Sequence, residues 1–190
     1  MDTILCFVSD EMADFEITLV FHKLKTIGSK EIITVGYDVA PVVSESGLTF
    51  LPNRTINQVL DLPDIEGLII PGGPIRSQRD ELTELILKLH NQKKLLAAIC
   101  NGPQYLGRAG ILDRHRYTTS CSEETIKSLQ VPNPFPRNNY IEERVVQDKH
   151  VITAKGRAFV DFSFAIFDYL AIYSGRNEEK EGLYKDIMDR

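Results

Sequence analysis

The chain has 190 residues, 43% hydrophobic and 26% charged, with a net charge of −5 and no basic run. This is enough chain for one domain with a sizeable core, and the acidic balance argues against nucleic acid or an anionic membrane surface as main partner. No apolar stretch approaches the roughly 20 residues of a bilayer span, the opening residues show no basic leader, and Cys6, Cys100 and Cys121 have no zinc-like spacing, so free thiols in a reducing, cytoplasmic compartment are expected.

Thr3-Ile4-Leu5-Cys6-Phe7-Val8 is a nearly continuous apolar run, suited to a strand buried on both faces. A mostly polar loop over Ser9–Ala13 follows. Asp14 can cap the next helix, in which Ile17, Val20, Phe21 and Leu24 recur at helical spacing until Gly28. Glu31 to Tyr37 reads as a second strand. Val42-Val43 and Leu48 to Leu51 flank Ser46-Gly47 as a hairpin-like excursion. Ile56, Val59 and Leu60 suggest a short helix. Gly67 to Ile70 is a third buried strand, and it runs into the turn Pro71-Gly72-Gly73-Pro74. Leu82, Leu85, Ile86 and Leu89 make an amphipathic helix.

The stretch Leu95-Leu96-Ala97-Ala98-Ile99-Cys100-Asn101-Gly102-Pro103 is the centre of the chain. A buried strand meets a single cysteine, then a sharp turn and a helix running from about Asn101 to Ala109, which is the form of a nucleophile elbow. The following helix end favours a thiolate, so Cys100 is expected to ionise more easily than a free thiol. Ala98 stands where the usual pattern has its first glycine.

Tyr117-Thr118-Thr119 is a short strand candidate, Ser122 to Leu129 a helical turn or two, and Val131 to Asn139 a proline-rich loop. Glu143 to Val146 and Val151 to Thr153 form a hairpin around Gln147 to His150. A Phe-rich helix spans Phe159 to Leu170. In the charged tail Leu183, Tyr184, Ile187 and Met188 fit one stripe of a short docked helix. The alternation of strands and helices predicts a mostly parallel sheet with helices on both faces, in one domain over 1–190. Ligands bind such sheets at the carboxyl ends of the strands, where Ser9–Ala13, Gly72-Gly73 and Cys100 all fall.

Beside an elbow, the Gly72-Gly73 turn can donate a backbone N–H to an oxyanion, with the N–H of Asn101 as second donor. Glu16, at the start of the first helix, is either a carboxylate favoured there by the helix dipole or part of the site, and position alone leaves both open. A cysteine nucleophile ordinarily has a histidine base. His22, His90, His115 and His150 each read as solvated surface residues, and His115 should lie at the end of the sheet opposite Cys100. None begins a His-x-Glu pair of the glutamine amidotransferase kind. Cys6 reads as core. Cys121 is either near Cys100 or packed away. No metal and no cofactor are expected.

With these pieces in place, the sequence from about Thr3 to Ile172 resembles the ThiJ/PfpI superfamily, which has the class I glutamine amidotransferase-like fold. The resemblance rests on Ala97 to Pro103, Ala109-Gly110-Ile111-Leu112, Ile70-Pro71-Gly72-Gly73, Asp14-Phe15-Glu16 and Thr153-Ala154-Lys155-Gly156. It implies a flavodoxin-like three-layer α/β sandwich, usually dimeric. It also implies Cys100 as the reactive cysteine, Glu16 as a protonated carboxyl hydrogen-bonded to it, and Gly73 and Asn101 as oxyanion donors. Gly72, Ser120 and Cys121 are the further pocket candidates. Two positions depart from the superfamily's branches. Asn101 replaces the histidine that follows the cysteine in protease-like members, and Ser120 replaces the histidine after two threonines in the parkinsonism-linked branch. The expected function is a cysteine-dependent enzyme acting on a small electrophile such as an aldehyde, a glycated adduct or an isocyanide. The alternatives are an oxidative-stress sensor without turnover and an intracellular protease-like hydrolase.

Overall fold

Strands buried on both faces build the molecule, seen here in a computed structural model that describes residues 2–189. In chain order the elements are β1 (Thr3–Phe7), α1 (Phe15–Thr26), β2 (Glu31–Gly36), β3 (Val42–Val43), β4 (Thr49–Phe50), β5 (Arg54–Thr55), α2 (Ile56–Val59) and β6 (Ile65–Ile70). Then come α3 (Asp80–Asn91), β7 (Leu95–Ile99), α4 (Pro103–Arg108), α5 (Glu123–Leu129), β8 (Val145–Asp148), β9 (Val151–Ala154), α6 (Phe159–Tyr169) and α7 (Asn177–Met188). Seven strands form one sheet in the order β5-β2-β1-β6-β7-β9-β8, parallel throughout except for β8 at its edge. β3 and β4 form a separate antiparallel ribbon.

Alternate residues of the strands feed two cores. Leu5, Phe7, Leu68, Ile70, Leu96 and Ala98 face one side, where α2, α3, α4 and α5 pack. Ile4, Cys6, Ile69, Leu95, Ala97 and Ile99 face the other, against α1, α6 and α7. The result is a flavodoxin-like α/β sandwich, as the alternation of elements predicts. α3 buries Leu82, Leu85, Ile86 and Leu89 completely, and each such side chain is worth about 1.5–3 kcal/mol.

Three local expectations change. Asp14 makes no side-chain cap for α1; its carboxyl interacts instead with Ser44 and Ser46 of the β3–β4 excursion, so an N-terminal capping contact gives way to a tertiary one. Tyr117 to Thr119 form no strand, because only Tyr117 pairs, in a single bridge with Tyr140. α7 docks by half its stripe. Leu183 and Tyr184 pack on the second core, while Ile187 and Met188 are exposed. Among the described residues no helix is long and apolar enough to cross a membrane.

Candidate active site

The parallel strands end together at one edge, and β7 runs there from Ile99 into the turn at Cys100, whose φ is 62°. A left-handed backbone is uncommon for a residue with a Cβ and marks the strained turn of an elbow. Hydrogen bonds hold it. Cys100 N–H donates to Ala154 O at 2.8 Å, at the end of β9. The Ser120 N–H at 3.0 Å and the Thr119 hydroxyl at 2.6 Å both donate to Cys100 O. The 117–120 segment therefore works as a brace for the elbow.

α1 starts beside this edge and turns Glu16, in its first turn, inward; the residue is 1% exposed. Gly72 N–H donates to Glu16 Oε2 at 2.7 Å. A Cβ on Gly72 would stand 2.6 Å from Glu16 Oε2 and 2.7 Å from Cys100 Cβ. A Cβ on Gly156 would stand 2.6 Å from Glu16 Oε1 and 3.1 Å from Cys100 Sγ. Two glycines are thus the walls of a niche that holds carboxyl and thiol together, a close approach that only a missing side chain permits. Gly72 was expected at the site. Gly156 is not among the site residues expected from sequence, although its place just beyond a strand end is a signal for it.

The electrostatics of the niche follow from burial. Desolvation pushes the Glu16 carboxyl up to about 7, against hydrogen bonds from Gly72 and Cys100 that favour its charged form. Desolvation also pushes the Cys100 thiol up to about 12, and the Glu16 carboxylate adds to this, while Ser120 and the Asn101 N–H pull it down. The expectation of an easily ionised thiol is therefore corrected. α4 is only six residues long, and its end does not outweigh the loss of water and the facing carboxylate. Groups this close titrate as a pair.

Cys100, Glu16, Gly73, Asn101, Ser120 and Gly156 line one cavity of about 490 Å³. Gly73, with φ +153°, and Asn101 are tied to each other, since Asn101 Nδ2 donates to Gly73 O at 2.8 Å. Ser120 Oγ accepts from Gly156 N–H at 2.9 Å and also reaches the sulfur. A hydroxyl thus stands where the parkinsonism-linked branch carries histidine. Glu45 and Arg157 join the lining from the β3–β4 excursion and the start of the 156–158 turn. Neither was expected from sequence, because loop folding alone brings them in. Phe15 forms an apolar rim and meets Phe159 edge-on at 5.7 Å between ring centres.

Cys121 is packed in the first core and lines a neighbouring cavity instead. Cys6 is buried in the second core. The reading of all four histidines as solvated surface residues is corrected for three of them. His22 is exposed, but His115 and His150 are buried and His90 is half-buried, and these three meet at the other end of the sheet. Tertiary folding gathers them from three separate elements, which local sequence context does not reveal.

The chain belongs to the DJ-1/PfpI family, whose pattern it matches over residues 2–169. It is 26% identical over 161 residues to an isonitrile hydratase of Pseudomonas putida, a match covering 82% of this chain and 66% of that protein. It is 29% identical over 119 residues to the deglycase PfpI of Pyrococcus furiosus, covering 61% of this chain and 70% of that one. The chain thus spans about two thirds of the length of these relatives. Among solved structures, the DJ-1 superfamily protein Atu0886 of Agrobacterium tumefaciens matches with a TM-score of 0.82 at 25% identity, covering 98% of each chain.

Proposed function

We infer that this chain is a cysteine-dependent enzyme acting on a small electrophilic substrate, of the aldehyde, glycated-adduct or isocyanide class. The observation that carries the reading is the shared niche of Glu16 and Cys100 between Gly72 and Gly156. A buried carboxyl that titrates near neutral pH beside a thiol is suited to proton transfer at working pH. Once the pair has lost one proton, the remaining proton divides between sulfur and carboxyl. The minor form, a thiolate beside a carboxylic acid, is the nucleophile. As the S–C bond forms, the π pair of the substrate moves onto its oxygen or nitrogen. The thiol proton, already on Glu16, is then available to the oxygen of an aldehyde adduct or to the lone-pair carbon of an isocyanide adduct. The backbone N–H groups of Gly73 and Asn101 hold the developing negative charge. The names of the hydratase and deglycase relatives support this substrate range. The sensor alternative draws less support, because peroxide sensing uses a low-pKa thiolate and this thiol is raised. The protease-like alternative lacks its histidine, since Asn101 follows the cysteine. The family resemblance also supports a cytoplasmic homodimer.

The test is a panel of small aldehydes, glycated amines and isocyanides against wild type and Cys100→Ser. Turnover of at least one class, abolished in the variant, is expected. Turnover that survives Cys100→Ser overturns the reading.

A further inference from the structure

At the amino ends of the parallel strands, opposite Cys100, three imidazoles converge. His90 lies in the last turn of α3, His115 in the turn after α4, and His150 between β8 and β9. Their ring centres are 4.9–5.4 Å apart, and one nitrogen from each ring falls within 4.8 Å of the other two. His150 Nε2 and His90 Nδ1 are 3.0 Å apart and share a hydrogen bond. His115 is 4% exposed and His150 8%. His115 Nδ1 is buried with no hydrogen-bond partner among the described residues. The Asp148 carboxylate lies 3.6 Å from it, already accepting from Arg116 N–H at 2.9 Å.

We propose that His90, His115 and His150 form a site for a borderline divalent cation of the zinc type, which clips α3, the 113–116 turn and the β8–β9 hairpin together. Three converging imidazole nitrogens are the donor set such ions prefer over calcium or magnesium, and a water fills the fourth position of a tetrahedral zinc. An unpartnered buried ring nitrogen is costly in an apolar setting, and coordination would satisfy it. The cations facing the cluster are Lys93, Arg114 and Lys149. All three are exposed, so their charges sit in water, where screening weakens the repulsion. The Asp148 carboxylate beside His115 offsets part of the positive charge a bound ion would bring.

The test uses the full chain stripped with a chelator and titrated with Zn²⁺, followed by calorimetry and thermal unfolding. One ion per chain and a higher Tm are expected. Co²⁺ should give the visible bands of a tetrahedral nitrogen site without sulfur charge transfer. His90→Gln, at the half-buried position, should weaken binding more than about tenfold, since even an outer-shell partner of a metal costs that much. Cys100→Ser should bind as wild type. Independently of any variant, Zn²⁺ should protect His90 from diethyl pyrocarbonate. No stoichiometric binding, unchanged binding in His90→Gln, loss of binding in Cys100→Ser, or no protection of His90 would each overturn the proposal.

Discussion

At the scale of single residues, the site is a balance between burial and a few hydrogen bonds. Glu16 carries a pH dependence whose sign can be worked out. Its carboxyl is raised in the folded chain to about 7 from an unfolded value of 4.5, so the folded state holds the proton longer. Stability is then lost as pH rises from about 4.5 to 7, by about 3 kcal/mol. Glu16→Gln removes this loss. Unfolding by urea at pH 5 and pH 8 should show a smaller decrease in the variant than in wild type. Gly156→Ala places a methyl 2.6 Å from Glu16 Oε1, and an overpacked site of this kind costs about 1–3 kcal/mol. Both a lower urea midpoint and slower labelling of Cys100 are expected of that variant. Cys100 and its elbow were legible in the sequence because a strand, a turn and a helix are local patterns. The direction of its ionisation was not, because desolvation and Glu16 reach it through folding.

At the scale of elements, the strands were the most legible part. Continuous apolar runs such as Leu95 to Ile99 read as fully buried strands, and each is buried. The amphipathic stripe of α3 was equally plain. Errors came where tertiary contacts override local preference. Asp14 has the chemistry of a cap but serves the β3–β4 ribbon. The stripe of α7 is divided, with Tyr184 packing its ring edge-on against Phe164 at 5.0 Å and donating its hydroxyl to Asp161 at 2.7 Å. Tyr184→Ala should therefore destabilise the chain by about 1–3 kcal/mol, through lost aromatic packing and the lost hydrogen bond to Asp161. Ile187→Ala, at an exposed position, should stay within about 0.5 kcal/mol. Parallel chemical denaturation of the two variants checks this, and equal losses would mean that the whole stripe of α7 is docked.

At the scale of the molecule, one sheet separates two kinds of chemistry. Its carboxyl edge carries Cys100 and Glu16, and its amino edge carries the three histidines. The first was found from sequence because the elbow is continuous in the chain. The second was missed because residues 90, 115 and 150 are joined only by packing. The central claim is that Glu16 and Cys100 act as one proton-sharing pair, and the pH profile of Cys100 alkylation by iodoacetamide tests it most directly. In wild type the rate should rise as the pair loses its first proton near pH 7 and then level off, because the thiolate form becomes a constant fraction of the singly protonated pair. In Glu16→Gln the rise near pH 7 and the plateau should both be absent, with the rate climbing steadily to higher pH. The same profile in both proteins would contradict the account.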